Sequence, residues 1–205
     1  MTSHFKPSNP RKPKAVKGSN RVRIIGGAWR SRVIEFADVE SLRPTANRVR
    51  ETLFNWLGQS LNGKRCLDLF AGSGALGFEA ASRGAEEIVM LEVVKVVVSA
   101  LKTTQQKLAA SACRVVALDA LKFLASNQEK FDIVFVDPPF ASDLMATVLH
   151  KLPEHLADGG VVYAEWSEPI ANVLGDLSAA PWKVTKQGRA GAVHFALLTF
   201  LPNPL

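Results

Sequence analysis

Residues 65–80 read RCLDLFAGSGALGFEA. An apolar run ends on Asp68, a glycine-rich turn follows, and a helix of small and apolar residues begins near Ala75. Gly72-Ser73-Gly74-Ala75-Leu76-Gly77 is a literal G-x-G-x-x-G. That turn brings a ligand close to a helix N-terminus in a doubly wound α/β sheet. The motif alone leaves open which ligand: the pyrophosphate of a dinucleotide, or another group that suits a glycine turn.

The surrounding chain supplies the sheet. Strand-like runs occupy residues 65–70, 87–92, 114–118, 131–137, 160–166, 182–187 and 193–200. Helical stretches near 75–83, 94–110, 120–127, 142–156 and 168–178 separate the first six. The early strands are nearly continuous apolar runs, as expected of parallel strands covered on both faces. Only QGRAGA separates the last two, which predicts a C-terminal antiparallel hairpin, with Arg189 in its loop. The fold class is therefore α/β: a Rossmann-like, seven-stranded, mostly parallel sheet.

In such a sheet the ligand lies beyond the C-terminal strand ends. Distinctive residues stand at these ends: Asp68-Leu69-Phe70-Ala71-Gly72-Ser73-Gly74, then Glu92, then Asp119-Ala120, then Asp137-Pro138-Pro139-Phe140. A dinucleotide accounts for the glycines and for Glu92 as a ribose partner. It leaves Asp68 unexplained, because a carboxylate at the first turn repels pyrophosphate. S-adenosylmethionine fits better. Its amino group and sulfonium are cationic, Glu92 suits its ribose, and Asp119 can accept from its adenine amine.

Asp137-Pro138-Pro139-Phe140 is more telling. Two prolines after an acid exclude helix and inner strand. The turn lets the Asp137 carboxylate and the Pro138 carbonyl point into the cleft together. Two acceptors so placed match the two hydrogens of an exocyclic amine, and Phe140 can stack on the ring that carries it. A dinucleotide oxidoreductase, by contrast, needs a hydride-transfer acid or base such as a Tyr/Lys pair, and the only tyrosine is Tyr163, mid-strand.

DLFAGSGALG, the strand-two LE and VFVDPPF resemble the amino-methylating class I S-adenosylmethionine-dependent methyltransferases. RIIGGAWR, LRPTANRVRETLFNWL, CLDLFAGSGALG and FVDPPF, in that order, are similar to the bacterial 16S rRNA guanine-N2 methyltransferases of the RsmD family. The likeness covers residues 21 to about 165 well and the last 40 weakly. It departs at Val94, where the family tends to carry an acid, and at Ser31, where a glycine is expected. The resemblance implies methylation of the N2 amine of a specific guanine in 16S rRNA, as a small ribosomal subunit or assembly intermediate. The rival readings are a DNA adenine-N6 methyltransferase, which shares the acid-Pro-Pro-aromatic element, and an RNA chaperone without catalysis.

Charge divides the chain. Residues 1–50 hold 12 Lys/Arg and 3 Asp/Glu, a balance of +9; the remainder holds 13 and 16, a balance of −3, giving the net +6. A one-sided positive field favours a polyanionic partner. Residues 1–20, rich in Pro, Lys and Ser, read as a disordered basic arm; 21–60 as a hairpin and helix that contact RNA; 61–205 as the methyltransferase domain. Lys12, Lys14, Lys17, Arg21, Arg23, Arg30 and Arg32 are placed to track phosphates, with Arg43, Arg48 and Arg50 nearer the cleft. Thr45 is a candidate cap for a helix whose apolar stripe is Val49, Leu53, Trp56 and Leu57. Trp29 reads as packing between hairpin and helix.

Cys66 and Cys113 fall in apolar runs and read as buried thiols. The four histidines (4, 150, 155 and 194) have no metal spacing, and His150 and His155 sit on an exposed helix pattern. No metal is expected. No apolar run reaches the length of a membrane span, and no secretory signal is legible, which predicts a cytoplasmic protein; no exposed apolar stripe demands a dimer, so a monomer is expected.

Overall fold

The computed structural model describes residues 20–36, 39, 45–139, 144–175 and 181–202. The basic arm, Arg43 and Phe140 lie outside the described residues. A short antiparallel pair opens the chain: β1 (Arg21–Arg23) and β2 (Val33–Glu35), then α1 (Asn47–Leu57). The main sheet follows as β3 (Arg65–Asp68), α2 (Ala75–Ser82), β4 (Glu87–Leu91), α3 (Lys95–Leu108), β5 (Cys113–Val116), α4 (Ala120–Ser126), β6 (Phe131–Val136), α5 (Leu144–Lys151), β7 (Leu156–Trp166), α6 (Ile170–Leu174), β8 (Trp182–Ala190) and β9 (Val193–Phe200).

The sheet order is β5-β4-β3-β6-β7-β9-β8. The strands β3 to β7 are parallel, and β9 enters antiparallel between β7 and β8. The order reverses between β3 and β6, so a crevice opens at their C-terminal ends. Asp68 closes β3, and Asp137 directly follows β6.

Alternation along each strand splits the core in two. Cys66, Met90, Phe135 and Tyr163 face α1, α2 and α3; Leu67, Val89, Val134 and Val162 face α4, α5 and α6. Val22, Ile24 and Ile34 of the N-terminal pair join the first of these clusters. The N-terminal segment therefore shares the core of the sheet. A run of aromatic rings fixes α1 over it: Phe54 to Phe135 at 6.2 Å, Phe135 to Tyr163 at 6.4 Å, Tyr163 to Phe195 at 6.4 Å, and Trp56 to Phe195 at 5.4 Å.

The N-terminal segment is clamped to α2 by one carboxylate. Glu79, fully buried, accepts from the backbone N–H of Ile25 (2.8 Å) and of Gly26 (2.8 Å), from Arg50 Nη1 (3.3 Å) and from Arg83 Nε (3.0 Å). Arg50 also donates to the Arg23 carbonyl (2.8 Å) and to Asn47 Oδ1 (2.6 Å). This corrects the placing of Arg50 among RNA-contacting groups: its side chain is wholly buried and spent on the clamp. The helical stripe predicted Val49 and Leu53 inside correctly; it missed Phe54, which lies off the chosen stripe, and Arg50, because a buried arginine is invisible to an apolar pattern.

Other expectations shift locally. Thr45 does not cap α1; Ala46 holds that position without a side-chain bond. Pro153 breaks the predicted 142–156 helix into α5 and a 3₁₀ turn, Leu152–His155, and His155 is buried rather than exposed. Arg189 lies in β8, not in a loop, because the hairpin turn is tighter than QGRAGA. Both cysteines are buried and free. Among the described residues no helix is long and apolar enough to cross a membrane.

Ser31, where a glycine was expected, has φ of 71°. That left-handed conformation costs an L-residue about 1–2 kcal/mol, less the backbone entropy a glycine loses. Ser31→Gly should therefore stabilise the protein by roughly 0.5–1 kcal/mol in urea denaturation. In the opposite direction, Glu79→Gln leaves two buried guanidinium groups short of an anion. It should cost about 3 kcal/mol or more by the same measurement.

Candidate active site

The glycine loop is pinned between two strands. The N–H of Leu69 donates to Phe135 O (3.1 Å), that of Ala71 to Leu91 O (2.9 Å), and that of Gly74 to Ala71 O (2.7 Å). Gly74 takes φ of 77° at the start of α2, and a Cβ there would meet the Phe78 ring at 2.6 Å. Gly77 permits another close approach: a Cβ would collide with Met90 of β4 and stand 3.4 Å from Asp68 Oδ2. The motif thus serves helix-to-sheet packing as much as ligand access. Phe70 and Gly72 are partly exposed at the mouth, while Ala71 and Ser73 are buried. Ser73 Oγ accepts from Ala75 N (3.3 Å).

Asp68 is 2% exposed, and its Oδ2 has no hydrogen-bond partner among the described residues. Burial pushes its pKa up to about 7, and the nearby Glu92 pushes the same way; the N–H groups of Phe70 and Gly77 oppose them. A buried carboxyl with one oxygen orphaned at a strand end is incomplete without a further donor, and a cationic one suits it best. Glu92 uses Oε1 to accept from the N–H of Val93 and of Val94, both at 2.8 Å. Among the described residues Oε2 accepts no hydrogen bond, which leaves that edge to a ligand. Asp119 caps α4, accepting from Lys122 N at 3.1 Å, and Ala120 is buried behind it. The loop, Asp68, Glu92 and the Asp119 corner all sit at C-terminal strand ends, and the set fits S-adenosylmethionine: a carboxylate for its amino group, a second for its ribose, and acceptors for its adenine.

Asp137 and Pro138 occupy the adjoining strand end, on the other side of the switch point. Pro138 is buried and Asp137 keeps part of its surface on the cleft. Thr45 Oγ1 donates to Asp137 Oδ2 at 3.3 Å, so the segment leading into α1 closes over the carboxyl. Desolvation pushes the Asp137 pKa well above the usual range, and the negative charges of Glu165 and Asp68 add to it; the Thr45 bond opposes them.

Glu165 and Tyr163 were not singled out from sequence. Glu165 lies on β7 beside Asp137, is 4% exposed, and accepts from Tyr163 Oη at 2.8 Å. The available signal was an acid near the end of an apolar strand, GVVYAEW, at the same edge as the other acids. The candidate RNA-contacting residues Arg21, Arg23, Arg30, Arg32 and Arg48 are all exposed. Arg21 pairs with Glu35 at 3.0 Å. Among the described residues no cluster of His, Cys, Asp and Glu could hold a metal ion.

A cofactor ammonium seated on Asp68 would make binding pH-dependent. A bound ammonium favours the ionised form, so binding below about pH 7 must first expel a proton. The affinity for S-adenosylhomocysteine should rise about tenfold per pH unit up to near 7 and then level off, as read by calorimetry. Asp68→Asn should bind weakly and lose this slope.

With this geometry in view, likeness to other proteins is informative. Residues 22–199 match the family described as Conserved hypothetical protein 95. The chain is 42% identical over 182 residues to the Ribosomal RNA small subunit methyltransferase D of Escherichia coli K12, covering 88% of this chain and 90% of that protein. It is 38% identical over 195 residues to the protein of the same name from Haemophilus influenzae, covering 91% and 98%. The solved structure of the Escherichia coli protein yhhF superposes with a TM-score of 0.79 at 40% identity, over 88% of this chain and 98% of that one. A ribosomal protein L11 methylase of Lactobacillus delbrueckii shares the fold at 14% identity, with a TM-score of 0.66 over 84% and 87%. The architecture is that of the class I methyltransferases, and the chain belongs to the Conserved hypothetical protein 95 family.

Proposed function

We propose that this protein methylates the exocyclic N2 amine of a specific guanine in 16S rRNA, using S-adenosylmethionine. One observation carries the reading: the Asp137-Pro138 corner stands beside the orphaned Asp68 carboxyl at the sheet's switch point. One group suits a target amine, and the other suits the amino group of a cationic donor. The relatives named as ribosomal RNA small subunit methyltransferases support RNA as the substrate class.

The guanine N2 lone pair is delocalised into its ring and is a poor nucleophile. Asp137 and the Pro138 carbonyl accept its two hydrogens and favour a more pyramidal, electron-rich nitrogen. Thr45 keeps the Asp137 carboxyl in position. When bound, the cofactor would supply an electrophilic sulfonium methyl with a neutral thioether as its leaving group, and N2, on taking the methyl, would shed one proton. Asp137 is the acceptor nearest to that proton. Positioning and fixed charge account for most of the acceleration.

An amine inside a helix cannot reach this crevice, so the target guanine is unpaired or extruded. The exposed Arg21, Arg23, Arg30, Arg32 and Arg48 hold the flanking phosphates, with the small ribosomal subunit or an assembly intermediate as the partner. Arg43 and Phe140 belong to the same proposal through the sequence alone.

The test is labelled-methyl transfer to small subunits from cells lacking the gene, with the product located by mass spectrometry. Signal at one guanine N2 is the expected result; label in DNA adenine, or none, overturns it. Asp137→Ala should lower the rate by roughly 10²-fold or more while S-adenosylhomocysteine still binds. Loss of binding along with activity would contradict the role given to Asp137.

A further inference from the structure

Behind Asp137 stands a second carboxyl that the reaction as described does not use. Val136 and Ala164 are register partners of β6 and β7, so Asp137 and Glu165 are the next residues along two adjacent parallel strands. They fall on the face that carries Phe135 and Tyr163. Tyr163 Oη donates to Glu165 Oε2 at 2.8 Å, and Thr45 donates to Asp137 at 3.3 Å. The other charged or titratable groups facing this pair are Asp68 of β3 and Tyr163 itself. Arg50 of α1 is turned to Glu79. Phe195 of β9 and Phe54 and Trp56 of α1 are neutral, and His194 lines the opposite face with Trp166. Among the described residues, no cation forms an ion pair with either carboxyl, nor does one figure among the influences on them.

We propose that Glu165 is a positioning residue that acts through Asp137: its carboxylate, held ionised by the Tyr163 hydroxyl, leaves the pair's one proton on Asp137 until a cation binds alongside. This rests on the amine-methylating reading of the site. Two carboxyls this close in a dry setting do not both ionise readily. Each has one hydroxyl donor, and the shorter bond decides which goes first: Tyr163 to Glu165 at 2.8 Å, against Thr45 to Asp137 at 3.3 Å. Asp137 is then the later to ionise and the stronger base of the two. Arrival of a cationic cofactor displaces its proton, freeing the oxygens to accept the N2 hydrogens and, after transfer, the proton that N2 sheds. Burial pushes both groups upward; the charge of Glu165 adds to this at Asp137, and the Tyr163 hydroxyl opposes it at Glu165.

Tyr163 is the only tyrosine of the chain, so one ¹³Cζ label reports on the pair without assignment. In the full-length protein without cofactor, that signal should titrate twice, once as Glu165 ionises and again, at higher pH, as Asp137 does. S-adenosylmethionine, which carries the sulfonium charge, should move the second step to lower pH. A signal that does not respond where carboxyls titrate overturns the proposal. In methyl transfer to small subunits, Glu165→Gln removes the repulsion on Asp137. The acid limb of its kcat/KM profile should therefore move down by at least about one pH unit, making the variant about tenfold more active relative to its own plateau on that limb. An unmoved or raised limb in folded, cofactor-binding protein also overturns it. If Glu165→Gln does not fold, the wild-type titration decides. Because that titration needs no RNA, failure of the carboxyl pair is distinct from failure of the guanine reading, which absent transfer by the wild type would show.

Discussion

The structure turns on the buried Glu79 carboxylate. One side chain in the middle of α2 receives two backbone N–H groups of the N-terminal segment and two guanidinium groups, from α1 and from its own helix. Burial lowers the pKa of Arg50 and Glu79 raises it back, so each ion makes the other tolerable there. Arg83 also lies over the Phe54 ring at 4.7 Å, tying the ionic cluster to the aromatic run beneath α1. Such clusters add little net stability over an apolar substitute, since desolvation offsets the attraction. What this one supplies is direction. Apolar packing alone would let the N-terminal segment slide, whereas the bonds of Ile25 N–H and Gly26 N–H to Glu79 and of Arg50 to the Arg23 carbonyl are directional and allow one seating. Glu79 stands on the helix that the glycine loop starts, and Arg50 on the helix that Thr45 leads into. The contact of Thr45 with Asp137 follows from that seating.

The two ends of the same sheet handle charge in opposite ways. At the N-terminal strand ends, Arg65 pairs with Glu87 and Glu129, Arg114 with the same two acids, and Lys64 with Asp132. These groups are partly exposed, and their acids are matched by bases. At the C-terminal ends, Asp68, Asp137 and Glu165 are more deeply enclosed and have no ion pair among the described residues. Folding gains nothing from unpaired acids in a dry crevice; their desolvation is a standing cost. A cationic ligand would recover that cost on binding, which marks the unpaired end as the candidate site.

Local patterns carried most of the architecture. The strands of the main sheet, the hairpin at its end and the acids at its rim follow from alternation, apolar runs and turn residues, all short-range signals. The Asp137-Pro138-Pro139 corner was legible because proline restricts the backbone whatever surrounds it. Arg50, Thr45 and Glu165 were misread or passed over for a common reason. Each takes its environment from a distant segment: Arg50 from a carboxylate 29 residues away, Thr45 from an acid 92 residues away. Periodicity reports which side of a helix faces inward, not that an arginine there will find its counter-ion. Ser31 is the converse case. The unusual residue was visible as a departure from a family pattern, and its φ explains why glycine is expected there.

The charge distribution also constrains how a polyanion would use such a crevice. Acids surround the ligand end of the sheet, so a phosphate backbone laid across it would be repelled. The exposed arginines stand instead on the N-terminal pair and at the start of α1. For the proposed RNA substrate these two fields divide the work. The backbone is held on the basic segment, and only the neutral base crosses into the acidic crevice. Glu79 links them mechanically, because the segment that bears the arginines is the one it fastens to the glycine-loop helix. A loosened clamp would therefore leave both binding surfaces intact and still misplace the base relative to the methyl donor. With a reaction that depends on near-contact distances, that misplacement alone is enough to slow it.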